Sequence, residues 1–553
     1  MALSFGGRPT WTVRLVAFSL ALGGLRDPRL FAVAGAGAWA AVWLEQPALG
    51  PAAAWLPWLG WAVLSTLSSS QPLAGLPVIA RWSAVLACAA LAASWNPRER
   101  EEWLKSFLLV ATGLAVAALA TGYGRGWRNE MTGLVPPYYN YTAFVLTAAT
   151  AAAGAWALHP CGARDTQRKV ALTFCALALV CLILARSRGA WLGLGTAVTV
   201  WSTRRFGSRV LAPVVVAAAL FAGALAGGLL PGPIEEILFK KYRTHAEARP
   251  RLWRAAAGVA ADNPWLGIGP GNFAVGFRRR PVALEDGAAR WSMSTNYAHS
   301  EPLQAAAETG WAGLALWLLG AGAALRALFQ RSDDSPVREA AAAAAAAMTA
   351  QLAIDNMLQI PALAALWLCA LALSRAPARG RPWPRAAVLA GATLALASWI
   401  PHTLASASPA RAAVLFPAEP GPREDLAYSA MAAGKLAEAE SHWAAAQTLE
   451  PSNAIHPWRL AQLAAASGRW TRAEPLAARA IELEPSFLSA RLVRAEALVH
   501  LGRAPEARAA LDELQGVLAA RGNVERGSGY ERTVWAFDRR NYDRVSAAAL
   551  GRK

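Results

Sequence analysis

The stretch "KVALTFCALALVCLILARSRGAWLGLGTAVTVWS", residues 169–202, decides the fold. It holds two apolar runs, 169–185 and 187–202, which meet at Arg186 and Arg188. Such runs recur along the 553 residues in blocks of about 15 to 22, close to the length a helix needs to cross a bilayer core. Before the quoted pair, candidate spans lie at about 11–24, 30–46, 52–69, 72–94, 101–121 and 138–158. After it they lie at about 208–230, 303–328, 339–358, 360–375 and 386–404. The expected fold is therefore all-α, a polytopic transmembrane bundle of about 12–13 spans. The segment 339–358 has a second reading. Alanine is only marginally apolar, so Ala340 to Ala347 also fits a helix buried inside the bundle.

Composition agrees. Hydrophobic residues make up 55% of the chain and charged ones 16%, against about a quarter charged in soluble domains. A net charge of +18 would point to nucleic acid in a soluble chain. Here most arginines lie in short loops between apolar blocks, where they orient the protein and meet anionic lipid, and no basic stripe interleaved with aromatics argues for DNA or RNA. Cys88, Cys161, Cys175, Cys181 and Cys369 form no CxxC pair, so neither a zinc site nor a disulfide framework is indicated. The N-terminus lacks a signal-peptide cleavage site, and 11–24 reads as the first span.

Positive charges in alternate loops give an orientation. With the N-terminus inside, the inner loops hold Arg98 and Arg100; Arg164, Arg168 and Lys169; Arg204, Arg205 and Arg209; Arg331 and Arg338; and Arg375, Arg379, Arg381 and Arg385. The expected organisation is nine spans over 1–230, a large outer loop over 231–302, four spans over 303–405 and a further domain over 421–553. In a Gram-negative cell this would be an inner-membrane protein with its large loop in the periplasm.

The C-terminal region repeats itself. "GKLAEAESHWAAAQTLEPSNA" begins at Gly434, "GRWTRAEPLAARAIELEPSFL" at Gly468 and "GRAPEARAALDEL" at Gly502, a step of 34 that Pro451 and Pro485 share. This is the tetratricopeptide pattern of paired helices. Such stacks bind a protein or peptide partner or serve as a compact appendage. If the last span is real, they stand on the outer side.

Loops as long as the interval 231–302 are usually functional or disordered. Within it, "ARPRLWRAAAGVAADNPWLGIGPGNFAVGF" (248–277) reads as an amphipathic helix ending at Asn263-Pro264, followed by a turn with Gly267, Gly269 and Gly271. A glycine turn can cradle phosphate, but with no preceding strand and no Walker lysine the structural reading is the stronger. Arg249 and Arg251 open this helix, and Arg188 stands at the outer end of its span. Arginine in or beside a membrane segment marks either a functional site or a snorkelling contact to headgroups, and its planar fork suits a diphosphate. His299, in "STNYAHSEPLQAAAETGWAGL" (294–314), can exchange a proton near neutral pH; alone, it reads more readily as an interfacial residue than as a catalytic one. Neither DxD nor HExxH falls on the outer side, Asp333-Asp334 is on the inner face, and Glu235-Glu236 and Glu285-Asp286 read as solvated acids, so no metal and no other cofactor is expected.

Three ordered segments, "SRGAWLGL", "RPRLWRAAAGVAADNPWLGIGPGNF" and "AHSEPLQAAAETGWAGL", resemble the O-antigen ligase and polymerase superfamily over roughly 80–375. The last is similar to that family's H-[NS]-x-x-L-x-x-x-x-E-x-G-x-x-G pattern at His299, Ser300, Leu303, Glu308, Gly310 and Gly313. The resemblance implies a membrane glycosyltransferase of the GT-C type. Such an enzyme moves a glycan from undecaprenyl diphosphate to an acceptor hydroxyl, with inversion and without metal. It implies His299 as base and Arg188 and Arg249, helped by Arg251, as diphosphate ligands, and places Asn140 at a structural asparagine. The repeats depart from the plain ligase pattern. They raise two alternatives within the superfamily, a polysaccharide polymerase and a protein O-oligosaccharyltransferase. A rival of another class is a non-enzymatic scaffold or lipid-glycan transporter that recruits partners through the repeats.

Overall fold

The computed structural model describes residues 27–124, 139–161, 165–185, 187–214, 216–217, 220, 243–280, 295–329, 335–520 and 529–551. The expected span 11–24, most of 208–230, and the acid pairs Glu235-Glu236, Glu285-Asp286 and Asp333-Asp334 lie outside these residues. The described residues are helical throughout, apart from turns and one isolated bridge between Ala48 and Pro382.

The membrane part contains α1 (Pro28–Glu45), a 3-10 turn (Gly50–Trp55), α2 (Leu56–Ser68), α3 (Pro72–Ser94), α4 (Pro97–Gly124), α5 (Tyr139–Leu158), α6 (Asp165–Ala185) and α7 (Arg188–Phe206). The loop supplies α8 (Arg243–Asp262) and a short α9 (Phe273–Arg278). There follow α10 (Glu301–Leu325), α11 (Pro336–Leu352), α12 (Pro361–Leu373), α13 (Arg385–Ala397), α14 (Ile400–Ala407) and α15 (Pro409–Leu415). Four of the described helices, α3 to α6, are long and apolar enough to cross a membrane, and α12 and α13 are shorter apolar helices.

The alanine-rich helix α11 packs between α5 and α7. Every residue from Ala340 to Ala347 is buried, as the second reading of this segment expects. Small side chains let neighbouring backbones approach, and Gly193 of α7 comes so close that an added Cβ would lie 2.7 Å from the Ala347 carbonyl oxygen. Elsewhere the core is aromatic. Trp55 packs against Trp82, Trp317 and Trp367, with ring centroids 5.4, 5.7 and 5.6 Å away.

The helix expected over 339–358 stops at Leu352, and 353–360 is unwound up to Pro361. Proline disfavours helical backbone in the residue before it, and Ile360 is extended. The break places Asp355, Asn356 and Gln359 in a buried turn inside the bundle. Among these, Asp355 and Asn356 are buried.

Two polar poles mark the ends of the bundle. At one, Ser187 Oγ donates to Asn140 Oδ1 at 3.0 Å, joining α5 to α7. At the other, His159 Nε2 and Glu339 Oε2 lie 3.3 Å apart, both buried, and Arg204 donates to the Leu328 carbonyl. Asn140 and His159 are 19 positions apart, about 28 Å along a helix, close to the thickness of a hydrocarbon core.

The repeats form three antiparallel pairs: α16 (Gly421–Ala432) with α17 (Leu436–Leu449), α18 (Ile455–Ala466) with α19 (Trp470–Leu483), and α20 (Leu488–His500) with α21 (Ala504–Ala520). Gly434, Gly468 and Gly502 have φ of 72, 70 and 75°. Open space surrounds each, so the left-handed backbone of the helix stop, not crowding, requires glycine there. The same closing bond recurs, from Lys435 N to Ala430 O, Arg469 N to Ala464 O and Arg503 N to Leu498 O. Two further helices, α22 (Gly529–Val534) and α23 (Arg539–Ala549), end the described chain. Val534 and Trp535 bury themselves against Trp458 and Phe487, while α23 covers the last pair.

Candidate active site

The glycine turn is a packing device. Gly267, Gly269 and Gly271 all have positive φ, and a side chain at them would press into the Glu308 backbone, Ser69 and the Ala74 carbonyl, respectively. The amides that could have faced a phosphate are occupied. Gly269 N donates to Glu308 O at 2.9 Å, Ile268 N to Ala307 O at 3.1 Å, and Gly271 N to the Glu308 carboxylate at 3.0 Å. The structural reading of this turn holds, and Glu308 is what it folds around.

The turn also bends α10. Gly310 has φ 74° and ψ 178° inside the helix, and Trp311 N donates to Pro264 O at 2.8 Å. The first turns of α10, Glu301 to Thr309, are thereby aimed apart from the rest of the helix. They carry Gln304, whose amide oxygen accepts from Ala298 N at 2.6 Å and whose amide nitrogen donates to Glu308 at 2.7 Å.

Held this way, His299 adopts φ 52°, a left-handed backbone that non-glycine residues adopt rarely and often at functional sites. Its carbonyl accepts from Trp253 Nε1 at 3.2 Å, which ties it to α8. The ring is 20% exposed, and Nδ1 lies 3.8 Å from Asp355 Oδ1. The other oxygen of Asp355 lies 3.5 Å from the Arg249 guanidinium, which is 28% exposed, whereas the carboxylate is 6% exposed. Asp355 thus connects two of the residues singled out by sequence, 50 positions apart in the chain. Arg251 is two positions beyond Arg249, about 200° around the helix. Arg188, half-buried, opens α7; the adjoining Gly189 lies against the Gln351 side chain, four residues before Asp355.

Residues 173–318 match the family described as O-antigen ligase. This segment is similar to O-antigen ligases. Residues 424–486 and 459–523 match the tetratricopeptide repeat, and no curated protein matches the chain. The ligase match contains Arg188, Arg249, Arg251 and His299 and supports a glycan-transfer function in a multi-pass membrane protein.

Two buried residues near His299 fall outside the matched segment and outside the sequence-derived list. Asp355 is one. Arg81 of α3 is the other: it donates to the Gln359 carbonyl at 2.9 Å, and Tyr297, Glu301 and Glu308 are the acidic and phenolic groups facing it. Its buried Nε has no hydrogen-bond partner among the described residues. The surrounding turn is fixed by Leu358 N donating to Glu301 at 2.7 Å and by the Gln359 amide donating to the Tyr141 hydroxyl at 2.9 Å. A signal for both was present, because each is an ionisable residue deep in an apolar run.

Among the described residues, a histidine and acids spaced for a metal ion occur at Glu424, Glu450 and His456. These belong to the repeats, and their atoms are engaged: His456 Nε2 lies 2.7 Å from Glu424, and Glu450 accepts from Arg278.

Proposed function

We propose that the chain transfers a glycan from a polyprenyl diphosphate, taken to be undecaprenyl diphosphate, to an acceptor hydroxyl, with His299 as the general base. The observation that carries this reading is Asp355 lying between Arg249 and His299. A carboxylate against Nδ1 leaves Nε2 as the nitrogen that takes the acceptor proton, and it stabilises the imidazolium that results. The 3.8 Å separation shortens when substrate binds, as catalytic contacts commonly do.

The acceptor O–H proton passes to His299 Nε2 as the acceptor oxygen bonds to the sugar C1 from the face opposite the diphosphate. The C1–O bond to phosphate breaks, and its electron pair leaves on the diphosphate oxygen. Arg249 and Arg188, with Arg251 nearby, neutralise that charge through bidentate contacts at the amino end of α7. The outer end of the bundle is read as periplasmic and the membrane as the bacterial inner membrane.

General-base assistance contributes roughly 10²–10⁴-fold. His299→Ala and Asp355→Asn are each expected to lose transfer by about that factor in membranes from a strain without the native gene. Wild-type transfer by the His299 variant would sink the assignment. Surface polysaccharide from the deletion strain identifies the acceptor. Loss of all long chains on lipid A indicates a ligase, single-repeat chains a polymerase, and an unglycosylated protein a protein transferase. A scaffold would release no polyprenyl diphosphate from purified lipid-linked glycan.

A further inference from the structure

The segment 271–278 packs beneath the proposed site, and the C-terminal region holds its Arg278 end directly and its Gly271 end through the start of α3. At the first end, the Glu419 carboxylate accepts from Leu73 N at 2.9 Å, at the start of α3, where the Ala74 carbonyl presses on Gly271. At the other end, Arg278 closes α9, and its Nε donates to Glu450 Oε1 at 2.8 Å, with a second guanidinium nitrogen on the same oxygen. Both partners are enclosed, the arginine side chain being 13% and the carboxylate 4% exposed. Tyr530, from the segment that folds back onto the repeats, faces Arg278, Glu450 and Glu484 together, and burial raises its hydroxyl above the usual phenolic range.

Between these grips, α9 is embedded in the apolar cluster that supports the chemistry. Phe273 and Phe277 are fully buried against Leu252, Ala256 and Val259 of α8 and against Ala298 and Ala307. Leu252 lies between Arg251 and Trp253, and Ala298 precedes His299. A displacement of α9 therefore moves α8 and the His299 turn together, since close-packed interiors transmit strain.

We propose that the partner of these repeats is the ligase loop of their own chain, and that Arg278 and Glu450 are positioning residues for transfer. The repeats are part of the frame of the active site. The enclosed pair is sensitive to loss of either member, because the charge left behind remains buried. Misplacement of a reacting group by about 1 Å costs up to roughly 10²-fold in rate.

The effect on catalysis rests on the proposed function, whereas the contact itself does not, and the experiment separates them. Full-length wild type, Arg278→Met, Arg278→Lys and Glu450→Gln are placed in nanodiscs, and amide exchange is followed over 271–278 and over α18. Transfer is measured in native membranes from a strain lacking the gene, per inserted molecule, with His299→Ala alongside. Arg278→Met and Glu450→Gln are expected to speed exchange over 271–278, to leave α18 protected and to lower transfer about tenfold or more. Arg278→Lys is expected to recover most of both. Unchanged exchange over 271–278 in both disrupted variants overturns the contact, and faster exchange with wild-type transfer overturns the positioning role. Transfer by His299→Ala would overturn the proposed base and leave the exchange result standing.

Discussion

The left-handed backbone of His299 bears on how its role can be tested. Histidine and asparagine are enriched several-fold in the left-handed region and alanine is not, so His299→Ala at φ 52° combines loss of the base with some added strain in the turn. Asparagine tolerates this conformation but cannot take a proton near neutral pH. His299→Asn is therefore expected to keep the wild-type melting temperature within about 2 °C while losing transfer by the same roughly 10²–10⁴-fold. A variant that melts normally and still transfers would remove His299 from the chemistry. At Gly271 the expectation is reversed. Gly271→Ala adds a Cβ against the Ala74 carbonyl at a positive φ, so both stability and transfer should fall, which thermal unfolding in detergent and the membrane assay would register together.

At the scale of elements, α11 shows what a sequence reveals and what it withholds. The run Ala340–Ala347 read either as a weak span or as a buried helix, and its complete burial follows from the close approach of α5 and α7. Ala343→Leu should cost about 1–3 kcal/mol by overpacking, visible as a lower unfolding midpoint with activity per folded molecule preserved. Where α11 ends was less legible. Periodicity carries it on to residue 358, but Leu358 N bonds to Glu301 and Gln359 bonds to Tyr141, contacts made by distant helices that no local pattern encodes. Asp355 stands out as an acid in an apolar run, but its role is not legible for the same reason: it depends on the break. Arg188 and His299 were readable because each opens or precedes a helix at an apolar boundary; Arg249 was readable as a loop arginine, but it does not open its helix, since α8 begins six residues earlier at Arg243. The glycine turn was readable in kind, but its dependence on Glu308 was not.

At the scale of the molecule, the repeats were recognisable from a step of 34, whereas their attachment to the loop was not. Arg278 looked like one of several loop arginines, and only the fold brings it to Glu450. That contact sets the repeats at the same end of the bundle as His299. Removing residues 418–553 should leave the membrane part inserted but expose the Arg278 end of α9, so transfer should drop with the Arg278→Met variant and not recover when the repeats are supplied as a separate chain at low concentration.

The stop glycines carry one more implication, for which register matters more than length. Glu484 stands 34 positions after Glu450, each preceding its proline and ending its helix. Excising residues 435–468 joins Gly434 to Arg469, the junction that Gly468 makes naturally, and brings Glu484 into the place Glu450 held. The shortened protein should still anchor its loop arginine, whereas a deletion of half that length should not. The recurring acid makes the joint interchangeable between modules, so the number of repeats can change over generations without the proposed site losing its floor.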